Sequence, residues 1–190
     1  MIDRPLPKKK YKLIPEEATK VFEGVLFDVY QWQQKMFDDS YKTFEMLKRA
    51  DTVLVIAVDD QDRVVVITEE QPGLPLREYR LPGGRVDPQY KSVLDAAQHE
   101  LVEETGIECA QWQYIETVQP EIKIEWFLHV FLASNIVAKH KATPDIDGEI
   151  IHEIHHVPYV DLRSRTFDTT RISVIRRCEA LDDIRREIDN

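Results

Sequence analysis

At 190 residues the chain is long enough for one domain with a good core, or for a domain plus an extension. Its 25 basic and 35 acidic residues leave a formal charge of -10, which disfavours broad electrostatic binding to nucleic acid or anionic membranes. A small phosphorylated ligand is still admitted, because bound cations invert a local field. Cys109 and Cys178 stand far apart, without CxxC or metal-ligand spacing, and read as reduced, buried thiols. No apolar run approaches a membrane span, and the start, MIDRPLPKKKYK, lacks the apolar stretch of a signal peptide. The expectation is a cytoplasmic, reducing setting.

Residues 1 to 15, with Pro5, Pro7, Pro15 and Lys8-Lys9-Lys10, read as an extended arm. Val21 to Gln34 is rich in aromatic and β-branched residues and predicts a strand pair or one long bent strand, with Gly24 as a candidate bulge. Tyr41 to Arg49 predicts another strand. Thr52 to Val58 is a continuous apolar run, Asp59-Asp60-Gln61-Asp62 is a turn, and Arg63 to Thr68 returns, which reads as a hairpin. Residues 69 to 81 pass through a Pro/Gly loop into a strand that ends at Pro82-Gly83-Gly84.

A helix follows that turn. Ser92 with Asp95 approximates a capping box, so the helix starts near Val93, and Gly106 is a candidate left-handed C-cap. Val93, Ala97 and Leu101, joined by Leu94, form its buried stripe. At about 100° per residue, Glu103 lies roughly 60° to one side of Glu100 and Glu104 roughly 40° to the other. All three carboxylates therefore share a face, where they repel each other. A compact divalent cation turns that repulsion into attraction, and oxygen-only ligands suit magnesium or manganese. A solvated acidic face on an ordinary surface helix is the plain alternative.

Beyond the helix, Trp112 to Thr117 and Trp126 to Ala133 predict strands, the second too apolar to be exposed on both faces. Residues 139 to 149 form a polar loop with Pro144 and Gly148, Ile150 to Val157 is a strand, and Tyr159 to Leu162 opens the next segment. From about Thr170 to Glu187, apolar residues at Ile172, Val174, Ile175, Leu181, Ile184 and Ile188 favour a helix. His155 points away from His152 and His156 on a regular strand, so the three do not converge on a metal. The pattern as a whole is mixed-sheet α/β.

Residues 82 to 107, PGGRVDPQYKSVLDAAQHELVEETGI, resemble the Nudix box, G-x5-E-x7-R-E-U-x-E-E-x-G-U, where U is aliphatic. Glu100, Leu101, Glu103, Glu104, Gly106 and Ile107 fit from the right and Gly84 from the left. One extra residue lies between Gly84 and the helix, Lys91 or Ser92 replaces the first Glu of the motif, and His99 replaces its Arg. In the family that Arg helps hold the catalytic helix in place, and a histidine lacks the rigid guanidinium fork.

The resemblance implies a Nudix-type α/β/α sandwich with a mixed β-sheet and an N-terminal β extension. Residues 1–50 would form the arm and extension, and 51–190 the hydrolase domain. It implies Glu100 and Glu104 as ligands of Mg2+ or Mn2+, Glu103 as a ligand or a bridge to metal-bound water, and the Gly84 carbonyl as a further ligand. The EEQPG loop and the late acidic loop before HHVPYVDL resemble the ADP-ribose and nucleotide-sugar pyrophosphatase branch. That branch supplies a further catalytic Glu from the late loop, with Glu149 the first choice here and Glu153 the second. Arg77, Arg80 and Arg85 flank the strand leading to Gly84, and one of them is a candidate for substrate phosphate or ribose. Arg80 is nearest the strand end, and solvated surface arginines are the alternative. The branch also dimerises through its extension. Trp32 and Phe37 are then candidates for a base pocket, or else core or interface residues.

Three functions follow. The first is Mg-dependent hydrolysis of ADP-ribose or a related nucleoside diphosphate sugar to a nucleoside monophosphate and a sugar phosphate. The second keeps the chemistry but acts on dinucleoside polyphosphates, NADH or nucleoside triphosphates. The third is a Nudix-fold nucleotide-binding or regulatory module without turnover.

Overall fold

The computed structural model describes residues 12–143, 148–166 and 171–189. The expected arm around Pro5, Pro7 and Lys8-Lys9-Lys10, Pro144 of the late loop, and the expected helix start at Thr170 lie outside these residues.

Three strands open the chain: β1 (Thr19–Phe22), β2 (Asp28–Lys35) and β3 (Tyr41–Lys48), each antiparallel to the next. The strand pair expected over Val21 to Gln34 is present. Gly24 lies in its connection, and the register shift falls between Lys20 and Phe22 instead. A short strand, β8 (Ile124–Glu125), extends this sheet parallel to β3. Glu125 ties it to the chain start: its carboxylate accepts the N–H groups of Leu13 and Ile14 at 2.7 and 2.8 Å and pairs with Lys48 at 2.8 Å.

Strands β4 (Thr52–Ala57) and β5 (Arg63–Glu70) are not a hairpin. They meet at the single bridge Val58–Val64 and then part into different sheets. β4 runs parallel to β9 (Leu128–Lys139), which is antiparallel to β7 (Ile107–Val118). β5 lies between β10 (Ile150–Pro158) and β6 (Arg77–Arg80), antiparallel to both. The reason is that the other edge of β4 is occupied. Val53 and Val55 donate their N–H groups to the carbonyls of Gly84 and Pro82, both at 2.9 Å. The glycine turn takes the place a hairpin partner would need.

Alternation along β4 defines the layers. Val53, Val55 and Ala57 join a core with Ala96, Ala97 and Leu101 of helix α1 (Val93–Thr105). Leu54, Ile56 and Val58 face a second core with Leu162, Ile175 and Ile184. Those residues come from α2 (Tyr159–Arg165), α3 (Ser173–Arg177) and α4 (Leu181–Asp189). Helices thus cover both faces, which is the α/β/α arrangement.

The helix expected from Thr170 to Glu187 is two helices. α3 ends at Cys178, which is extended, and the N–H groups of Glu179 and Ala180 bond to the Asp183 carboxylate at 3.0 and 2.9 Å. A side chain that captures backbone donors ahead of a helix starts a new one there. The apolar positions on each side of the break still reach one core.

Candidate active site

Helix α1 is built as its sequence suggests. Ser92 Oγ accepts the Asp95 N–H at 3.1 Å, and Gly106, at φ 70°, closes the C-terminus. Ala97, Leu101 and Glu104 follow at i, i+4 and i+7, so Glu104 lies on the buried face and is 5% exposed. Its described partner is the Gly83 N–H, 2.7 Å from Oε2. Gly83 sits at φ 149°, and a Cβ there would strike the Val53 carbonyl. A Cβ on Gly84 would strike the Glu100 carboxylate. The two glycines therefore let backbone approach two of the helix carboxylates directly.

Glu104 is met by residues from distant parts of the chain. Carboxylate oxygens of Glu69, Glu104 and Glu149 lie within 4.8 Å of one another, the group among the described residues with the makings of a metal site. Glu69 is the penultimate residue of β5, and Glu149 precedes β10, which pairs with β5 through Ile151 and Glu69. Gln71 Nε2 holds Glu149 Oε1 at 3.0 Å. Glu69 is 5% exposed, and burial followed by its hydrogen bond with Glu149 pushes its carboxyl up to about 7 against the opposing effect of Arg80 and Arg77. Burial also raises Glu104 well above the ordinary range, helped by Glu100, Glu149 and Glu69 and resisted by the Gly83 N–H. Protons or a cation must offset this much buried negative charge.

Two arginines converge on Glu69. Arg77 Nη2 lies 2.6 Å and Arg80 Nε 3.2 Å from the same oxygen, Oε1, and Arg77 also reaches Glu149 at 3.8 Å. Residues three apart on a regular strand face opposite sides. Here Arg77 pairs with Glu69 and Arg80 with Ile67, so β6 spends three steps against two of β5. Tyr79, at φ 54°, absorbs the extra residue. Such a bulge re-aims side chains.

The structure thus brings Glu104, Glu149 and Arg80 together, with Glu100 against Gly84. Glu103 is half-buried on α1, and its carbonyl accepts the Thr143 N–H at 2.9 Å. The Gly84 carbonyl accepts the Val53 N–H. Glu153 is not brought to the group: it is exposed and pairs with His155 at 3.0 Å. Arg85 faces Asp87, with contacts of 2.5 and 3.1 Å. His152, His155 and His156 have separate partners in Glu70, Glu153 and Asp59. Trp32 tilts against Phe44 at 6.1 Å, and Phe37 is fully exposed.

Glu69 was not among the sequence candidates. A signal existed: it continues the alternating buried row of Val65 and Ile67, of which Val65 joins the α1 core, so an acid stands where that row turns inward. The altered part of the box is also anchored. Lys91 contributes its N–H to Asp95 at 2.9 Å, Val86 donates to the Asp51 carbonyl at 2.8 Å, and His99 packs on Tyr90 at 5.4 Å.

Residues 48–178 match the family model described as the NUDIX domain. The chain belongs to the Nudix family of pyrophosphohydrolases. Among solved structures, an ADP compounds hydrolase superposes with a TM-score of 0.64 at 15% identity, covering 90% of this chain and 91% of that one. A MutT structure, from work on Aliivibrio salmonicida and Vibrio cholerae, gives 0.51 at 18% identity, covering 68% and 94%. At these identities the likeness is one of fold. No curated protein sequence matches significantly.

Proposed function

We propose that the protein hydrolyses a nucleoside diphosphate linked to a sugar, ADP-ribose or a close relative, to a nucleoside monophosphate and a sugar phosphate. The observation that carries this reading is the buried group of Glu69, Glu104 and Glu149 beside the Gly83-Gly84 turn. Its donors are all hard oxygens, as Mg2+ or Mn2+ requires, and its charge exceeds what Arg77 and Arg80 offset. Glu104, Glu100 and Glu69 would hold the ion, with Glu103 beside them and the second lone pair of the Gly84 carbonyl available. Bound there, a divalent ion offsets the charge of the diphosphate, polarises a phosphoryl group and acidifies water.

The chain's own residues supply the rest. Glu149, tethered by Gln71, accepts the proton of the attacking water, as its place beside the proton-sharing Glu69 suits. Glu153 is the weaker choice because it pairs with His155 on an exposed surface. Arg80 holds Glu69 in place and, with Arg77, sets a cationic edge for phosphate oxygens. The exposed Phe22, Val25, Leu26 and Phe37 of the extension suit a homodimer interface.

Incubation with ADP-ribose, ADP-glucose, UDP-glucose, diadenosine polyphosphates and NADH, with and without Mg2+, tests the proposal. AMP release from ADP-ribose that depends on the ion is expected. Retained ligand binding with no turnover on any substrate would show a binding module instead.

A further inference from the structure

Tyr79 is a bulky residue in a left-handed conformation, φ 54°, where a bulge ordinarily places glycine. A side chain held in that region persists only where its surroundings over-determine it. Two other elements do so here. Arg165, the last residue of α2, sets its Cζ 5.0 Å from the centre of the Tyr79 ring and donates from Nη1 to the phenol oxygen at 2.8 Å. His155 of β10 stacks its own ring on Tyr79, with centres 6.4 Å apart and 11° between the planes. His155 is tied down in turn, its Nε2 lying 3.0 Å from the Glu153 carboxylate and 3.5 Å from the Thr68 hydroxyl. The Tyr79 ring also packs against the core that holds Leu162 and Ile175.

The bulge decides where two arginines go. Arg77 and Arg80 reach one oxygen, Glu69 Oε1, at 2.6 and 3.2 Å, because β6 spends three steps against two of β5. On a regular strand residues three apart face opposite sides, and only one of the two could do so. Arg77 takes this position although its Nε is enclosed without a hydrogen-bond partner. The backbone therefore imposes the aim of the fork, against the hydrogen-bonding preference of the side chain itself. Glycine would take the same φ without steric cost, but it would leave the bulge free to relax. A ring gripped by a cation and a second ring does not relax in that way.

We infer that Tyr79, clamped by Arg165 and His155, is a positioning residue: it locks the bulge that turns Arg77 and Arg80 together onto Glu69 and so fixes the cationic edge offered to diphosphate oxygens. The effect on turnover rests on the hydrolytic reading of the carboxylates; the effect on the two arginines does not.

ADP-ribose hydrolysis in Mg2+ and crystal structures of the variants test this together, each assay being run well below the variant's thermal midpoint. Tyr79→Gly takes the backbone angle freely but leaves nothing to clamp. It should raise KM about tenfold or more, as loss of a charged hydrogen bond implies, with a smaller change in kcat. In its crystals Arg77 and Arg80 should no longer share Glu69 Oε1. Tyr79→Phe, which keeps the ring, should recover most of the loss. Arg165→Met removes part of the clamp without touching β6; it should act in the same direction by a smaller factor, and it decides the question should Tyr79→Gly not fold. Both arginines still on Glu69 would overturn the inference, whatever the rates. So would displaced arginines with an unchanged KM, or a lowered thermal midpoint with no other effect. If wild type cleaves no diphosphate, the hydrolytic reading fails, and the arginine positions in the crystals still decide the clamp.

Discussion

Gly83 and Glu104 are joined by a 2.7 Å hydrogen bond that spans the turn and helix α1, with the backbone N–H donating to a buried carboxylate. The bond needs both the left-handed φ of Gly83 and the absence of a side chain, since a Cβ would meet the Val53 carbonyl. Gly83→Ala should therefore destabilise the fold by about 1–3 kcal/mol, the usual range for forced backbone strain. Gly84→Ala differs, because its Cβ meets the movable end of Glu100 instead of backbone. It should fold but bind Mg2+ more weakly, which urea denaturation and a Mg2+ titration would separate. Equal metal affinity in Gly84→Ala and wild type would count against Glu100 as a ligand.

Replacing Glu104 by Gln removes a buried charge and keeps an oxygen to accept the Gly83 N–H. The metal-free variant is expected to melt at or above the wild-type temperature, since sites tuned for function sacrifice stability. Its turnover should fall by more than about a hundredfold, because even residues behind the ligands cost about 10–100-fold. Calorimetry in EDTA and a rate assay in Mg2+ read the two effects. A variant both less stable and still active would assign Glu104 a structural role.

The raised Glu69 carboxyl gives the metal-free protein a pH signature. Its folded value of about 7 lies above the ordinary 4.5, so between these limits the folded state holds a proton that the unfolded state has lost. Its contribution to stability therefore declines as pH rises from about 4.5 to about 7 and levels off above. Urea midpoints in EDTA should show this decline, and Glu69→Gln should lessen it. An unchanged profile in the variant would contradict the assignment.

Asp59, at the opposite end of β5, has the opposite sign. Burial alone would raise it, but the Arg63 N–H and guanidinium, the Gln61 N–H and His156 together hold it at about 2. It stabilises the fold above its ordinary value of 3.8, and that contribution is lost as pH falls toward 2. Asp59→Asn should cost about 2 kcal/mol near neutral pH and leave turnover unchanged. Denaturation and a rate assay check both halves.

What was legible in the sequence was local. The caps Ser92 and Gly106 announce α1 because each acts within a few residues, and the spacing of Glu100, Glu103 and Glu104 follows from helical pitch alone. The parting of β4 and β5 was hidden because two buried apolar runs around a turn look the same whether they pair or not. The outcome is set by the Pro82 and Gly84 carbonyls, which reach β4 from about thirty residues away. Glu69 and Glu149 come together through the β5–β10 register, and Arg77 and Arg80 through the bulge at Tyr79; neither leaves a periodic trace. Glu153 lies on β10 and pairs with His155, a placement that its sequence neighbourhood does not announce.

The most direct test is anomalous diffraction from crystals soaked in Mn2+ with a non-hydrolysable ADP-ribose analogue. A manganese peak coordinated by Glu104 together with Glu100 or Glu69, with diphosphate oxygens completing the shell, is the expected result. An ordered analogue with no peak among these carboxylates, or a peak held elsewhere, would contradict it.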